Sequence, residues 1–233
     1  MLTLRKVDIH GFKSFYDRVE MRFAGSGITA VVGPNGCGKT TLLDCIVGKL
    51  APTAGDIQIA GHSLLTDPAN AKRQLGYACA PENLPPLLTA RQCFEVHAGA
   101  KGLPRVDADL MTLAEELKFL PYLESFVDTL SLGTRQKLAV LLCLIGDPKL
   151  IILDEAFNGL DPASSLVLKR HLRWRLKERG ATLVLATHAL DIVEHYADHA
   201  GLLLDGVLTR EWAKSEIEAL RLNGRGFDTA LAD

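Results

Sequence analysis

The sequence has little of what would tie a chain to a membrane, a metal framework or a polyanion. Its longest uninterrupted apolar run, Leu138–Ile145, is less than half of the ~20 residues that a helix needs to cross a bilayer. The five cysteines, at positions 37, 45, 79, 93 and 143, show no C-x-x-C spacing. That leaves no zinc or redox framework to read, and their odd number suits reduced thiols. A formal net charge of −2, with basic residues scattered rather than striped, gives no electrostatic reason for a nucleic-acid partner, and none is expected. Met1–Gly11 alternates charged and apolar residues where a secretory leader would be apolar, so a cytoplasmic chain is expected. There is no internal repeat and no low-complexity tract. At 233 residues and 48% hydrophobic content, a single domain can bury a substantial core without a staple.

What the sequence does hold is Gly33-Pro34-Asn35-Gly36-Cys37-Gly38-Lys39-Thr40, set between the apolar run Ile28–Val32 and the helix-patterned segment Thr41–Leu50. A strand, a Gly-rich turn and a helix start, in that order, make G-x-x-x-x-G-K-[ST] a phosphate cradle. Glycines at 33, 36 and 38 allow positive φ and keep Cβ atoms away from an anion, so that successive N–H groups converge on it. A helix starting near Lys39 adds its unpaired N–H groups, around Thr40 and Thr41, and the positive end of its dipole. Lys39 would reach the β- and γ-phosphates of ATP, and the Thr40 hydroxyl would ligate Mg²⁺. Cys37 lies beside Lys39 at this helix start, a setting that lowers a thiol's pKa. Its alkylation is expected to inhibit, with bound ATP protecting.

Upstream, Leu2–Ile9 and Val19–Phe23 alternate as half-buried antiparallel strands do. Tyr16 or Phe15, in the intervening segment, could stack on a nucleotide base. Downstream, Asp56–Ala60 and Leu75–Cys79 read as short strands and Ala80–Leu88 as a Pro-rich loop, with helical patterns over Thr89–Ala100 and Asp107–Leu120. Leu150-Ile151-Ile152-Leu153-Asp154-Glu155 is an apolar run ending in two carboxylates. Continuous apolarity predicts a strand buried on both faces of a parallel sheet, and such sheets do their chemistry at the C-terminal ends of their strands. Asp154 is therefore placed to hold Mg²⁺, and Glu155 to polarise a water for attack on the γ-phosphate. A second buried strand, Ala181–Ala186, delivers His188 to the same crevice; the other histidines have no such context and read as surface or packing residues. Asp205-Gly206 marks a hairpin, and Trp212–Asn223 a terminal helix stopped by Gly224.

With these elements in order, nearly the whole chain resembles the ATP-binding domain of ABC transporters. Leu130-Ser131-Leu132-Gly133-Thr134-Arg135-Gln136-Lys137 is similar to that family's LSGGQ signature. Ser131 and Gly133 match, while Leu132 stands for the first Gly and Thr134 for the Gln. Asn158-Gly159-Leu160-Asp161 is similar to the family's D-loop, with Ala156 in place of the usual Pro, and the Q-loop glutamine falls on Ala80, where Glu82 or Asn83 could substitute. The opening Ile9–Phe15, with Gly27–Gly33, also resembles chromosome-maintenance ATPases of the same superfamily. Those insert a long coiled coil, for which no sustained heptads are present here.

The resemblance implies an α/β P-loop NTPase with a mostly parallel central sheet, an N-terminal antiparallel β subdomain and an inserted helical subdomain. The ATPase core is expected over residues 1–80 and 145–210, the helices over 81–140, and a C-terminal helix and tail over 211–233. It implies an ATP hydrolase using Mg²⁺, on the cytoplasmic side of a membrane, bound to a membrane-spanning transporter subunit. A homodimer or heterodimer with a second ATP-binding subunit would place Ser131 and Gly133 on the partner's γ-phosphate and Asp161 at the interface. A soluble ATPase acting on DNA, or a regulatory module with little turnover, are the rival expectations.

Overall fold

The computed structural model describes residues 27–52, 55–222 and 227, together with the backbone of residues 6–9 and 19–22. Strands β1 (Lys6–Ile9) and β2 (Val19–Arg22) pair antiparallel, with Lys6 opposite Arg22 and Ile9 opposite Val19. There follow β3 (Gly27–Val32), α1 (Lys39–Ile46), a small hairpin of β4 (Gln58–Ile59) and β5 (His62–Ser63), α2 (Pro68–Arg73) and β6 (Leu75–Ala78). Three helices come next, α3 (Ala90–Ala100), α4 (Ala108–Glu116) and α5 (Leu132–Cys143). The chain then alternates through β7 (Leu150–Asp154), α6 (Pro162–Arg179), β8 (Thr182–Ala186) and α7 (Leu190–Tyr196), and closes with β9 (His199–Leu204), β10 (Val207–Ala213) and α8 (Lys214–Leu222).

Among the described residues the main sheet has six strands in the order β10-β9-β3-β8-β7-β6, all parallel except β10. Its apolar runs are continuous because both faces are covered. Side chains alternate across a strand, so Ile151 and Leu153 join the cluster built with α3, α4, α5 and α6, while Leu150 and Ile152 join the one built with α1. Leu183 and Leu185 divide from Val184 and Ala186 in the same way. Helix α5 is buried from Leu138 through Cys143, as a helix that is apolar all round must be. Caps fix the helix starts. Thr89 and Gln92 form a reciprocal capping box at α3, and the side chains of Asp107, Ser131 and Asp161 accept the N–H of Leu110, Thr134 and Ser164.

Several boundaries differ from the sequence reading for local reasons. Helix α1 begins at Lys39 and ends at Ile46, because Gly48 at φ 69° turns the chain before Leu50. The run Asp107–Leu120 is helical only to Glu116, with Lys118 at φ 56° just beyond. Trp212 is not in the terminal helix. It belongs to β10, opposite Ala200, and is buried against Phe227 with ring centroids 4.8 Å apart. The short elements β5, α2 and α7 carry too few residues for a period to show.

Candidate active site

The loop after β3 is shaped by what lies under it. A Cβ on Gly33 (φ 155°) would stand 2.2 Å from the Leu203 carbonyl oxygen and 2.7 Å from Cys37 Sγ, so only glycine fits. Gly38, at φ 106°, caps α1 without a side-chain hydrogen bond. The first-turn N–H groups therefore keep their capacity for an anion. Lys39 does not project into the open: it is 7% exposed, and its ammonium donates to the carbonyl oxygens of Gly33 at 2.5 Å and Pro34 at 3.0 Å. The loop thus holds the lysine against its own backbone. Cys37 corrects the sequence reading more sharply. It is 2% exposed and packs with Val31, Leu42 and Leu203, because β9 runs directly beneath the loop.

Strands β3, β8 and β7 are neighbours, and their ends are tied beyond the ladder. Thr187 N–H donates to the Val31 carbonyl at 3.2 Å, and Glu155 N–H to the Ala186 carbonyl at 2.9 Å. Asp154, Glu155 and His188 are thereby carried to the edge of the loop. A cavity of about 180 Å³ is lined by Asn35, Gly36, Gly38, Lys39, Thr40, Thr41, Asp154 and Glu155. In it the Thr40 hydroxyl donates to Asp154 Oδ2 at 3.4 Å. Burial, and next the charge of Glu155, push the Asp154 carboxyl above its ordinary range. A hydroxyl and a carboxylate are hard oxygen donors, and a carboxylate held out of water beside another negative charge favours a cation, so the pair fits Mg²⁺. Glu155 sits at φ 48°. Its Oε1 lies 2.9 Å from His188 Nδ1, and its Oε2 accepts a hydrogen bond from Asn158 Nδ2 at 3.2 Å.

The remaining candidates lie elsewhere in the chain. Ser131 caps α5 and shares a 2.8 Å hydrogen bond with the Thr134 hydroxyl. Gly133 packs so closely on the next loop that a Cβ there would be 2.8 Å from the Gly159 carbonyl oxygen. Asp161 accepts from Ser164 N–H at 2.8 Å and Ser164 Oγ at 2.6 Å, with Lys137 Nζ 3.3 Å away. Those bonds, with the Ser164 hydroxyl first, hold its carboxyl far below the usual range. Ser131, Gly133 and Asp161 do not line the cavity. Tyr16 and Phe15 lie outside the described residues.

A family profile for ABC transporters matches residues 16–158. The chain belongs to the ABC transporter family. Its domain is that family's ATPase domain, a P-loop fold with ATP as the nucleotide. The bacitracin transport ATP-binding protein BcrA of Bacillus licheniformis is 30% identical over 208 residues, covering 87% of this chain and 66% of that protein. The Nod factor export ATP-binding protein I of Rhizobium etli is 30% identical over 203 residues, covering 84% and 63%. The chain thus spans just under two thirds of the length of these ABC relatives. A solved ATP-binding subunit of an ABC transporter shares the fold with a TM-score of 0.83 at 27% identity, over 97% of this chain and 95% of that one. A dimeric cassette bound to ADP and Pi also shares the fold, with a TM-score of 0.74 at 23% identity, over 91% and 97%. Of Ile9–Phe15 and Gly27–Gly33, which together carry the likeness to chromosome-maintenance ATPases, residues 10–15 lie outside the described part. The residue that sequence reading left out of the site is Asn158. The motif placed it in the loop, but its bond to Glu155 depends on how the turn folds back.

Proposed function

We propose that this chain binds and hydrolyses Mg-ATP to energise a membrane transporter, of the exporter type with separate membrane subunits. The name of the Nod factor export protein supports the exporter reading, and that of BcrA supports a role in transport. Among the described residues no helix is long and apolar enough to cross a membrane. The reading includes a membrane-spanning partner and a peripheral place on the inner face of the cell membrane, which the transport and export names of those relatives support.

The observation that carries it is the placement of Glu155. Its carboxylate shares one cavity with the phosphate loop and the Thr40–Asp154 pair, and donors engage both of its oxygens. The loop N–H groups grip the phosphates, and Lys39 exchanges its loop carbonyls for phosphate oxygens. Thr40 and Asp154 would hold Mg²⁺, which neutralises charge on the phosphates when bound. Glu155 accepts a proton from the attacking water, and His188 orients Glu155 through Nδ1 while its exposed ring remains open to the γ-phosphate. Ser131 and Gly133, absent from this chain's own cavity, would serve a second ATP-binding subunit, with Asp161 shaping the loop at that interface.

The test is Glu155→Gln. Hydrolysis should fall by about 10²–10⁴-fold, the usual weight of a general base, with ATP affinity retained. Unhydrolysed Mg-ATP should then hold two chains together in size-exclusion chromatography, and adding Ser131→Arg should return the monomer. A variant that stays monomeric at saturating Mg-ATP, alone and with its membrane partner, would favour the regulatory-module reading. The altered signature, Leu132 and Thr134, and Ala80 at the Q-loop position are what keep that second reading in play.

A further inference from the structure

A glutamate carboxylate just past the end of a strand can turn about three side-chain bonds, and an attacking water is oriented only if that freedom is removed. Glu155 has an added difficulty. At φ 48° it occupies the left-handed region, which is strained for a non-glycine residue. Its conformation must be held by its surroundings. His188 takes Oε1, and the side-chain amide of Asn158 takes Oε2 at 3.2 Å. The amide must present Nδ2 there, because the flipped group would set two acceptors against each other. Asn158 is fixed in turn by its own N–H, which donates to the Glu155 carbonyl at 3.0 Å. The turn closes on itself, so Asn158 and Glu155 move together.

We propose that Asn158 is a positioning residue of ATP hydrolysis: it holds the carboxylate oxygen that His188 leaves free, and acts through Glu155 alone. This rests on the reading of Glu155 as the group that polarises the attacking water. The bland alternative is that Asn158 only shapes the turn, as asparagine often does. The two differ in what an isosteric aspartate would do. Aspartate fits an asparagine turn but offers Glu155 an acceptor of like charge in place of a donor.

Asn158→Ala and Asn158→Asp are made with Glu155 intact and again with Glu155→Ala, and single-turnover hydrolysis and the affinity for a fluorescent ATP analogue with Mg²⁺ are measured. With Glu155 present, Asn158→Ala should lower the rate about tenfold, the worth of one hydrogen bond to a charged group, leaving nucleotide affinity within about twofold. Asn158→Asp should be slower still. With Glu155→Ala, neither substitution should change the residual rate. An aspartate variant as fast as wild type, or losses that persist without Glu155, would overturn the proposal. Unchanged hydrolysis in Glu155→Gln itself would instead remove the base reading on which it rests.

Discussion

At the scale of single residues, local motifs and distant packing divide the site between them. Gly33, Lys39, Asp154 and Glu155 were legible because each belongs to a short pattern whose chemistry depends on its neighbours in sequence. Cys37 was not, since its surroundings come from β9, whose Leu203 lies far along the chain. The helix N-terminus and Lys39 would make it reactive if it faced solvent, but at 2% exposure access decides. Under mild alkylation with peptide mapping, Cys79, which is half-buried, should be labelled first among the five thiols. Cys37 should resist until the fold opens around it, and label far more slowly than in the unfolded chain. Prompt labelling of Cys37 in the native protein would restore the sequence expectation.

Among elements, the strands and long helices were readable from period and caps, whereas the short ones and the contacts between them were not. The junction of α5 with the loop after Glu155 shows why. Ser131 announces the helix start, but nothing near it announces that Gly133 lies against the Gly159 carbonyl. Gly133→Ala should force that backbone apart and lower stability by about 1–3 kcal/mol. Hydrolysis should fall with it, because Gly159 is adjacent to Asn158. Gly99→Ala, in α3 with nothing beyond the helix's own backbone within 4 Å of the added methyl, should instead stabilise by about 0.5–1 kcal/mol. Paired denaturant titrations check both, and equal effects at the two glycines would refute the contact.

Over the whole molecule, acid sensitivity should trace to α6. Arg175 is 2% exposed, and its Nε donates to His171 Nε2 at 2.9 Å, which requires an unprotonated ring nitrogen there. Burial first, and then the Arg175 charge, bring the His171 pKa from 6.5 down to about 4, with Glu116, Asp109 and Asp107 opposing. The unfolded chain then binds the extra proton between those two values, so stability rises with pH through that window and is lost as pH falls through it. The slope from this group is at most ~1.4 kcal/mol per pH unit. Denaturation midpoints should flatten across the same window in His171→Asn, and an unchanged pH dependence would assign the effect elsewhere. The place of β3 in the sheet has a consequence for how the protein is made. Among the described residues it pairs with β8 and β9 of the main sheet, from Thr182–Ala186 and His199–Leu204. On the ribosome, Ile28–Val32 emerges well before β8 and β9 and waits, both hydrogen-bonding edges bare, until they arrive. Such an unpaired apolar strand invites association with other nascent chains, so truncation before β8 yields not a weaker nucleotide binder but an aggregating fragment in need of a chaperone.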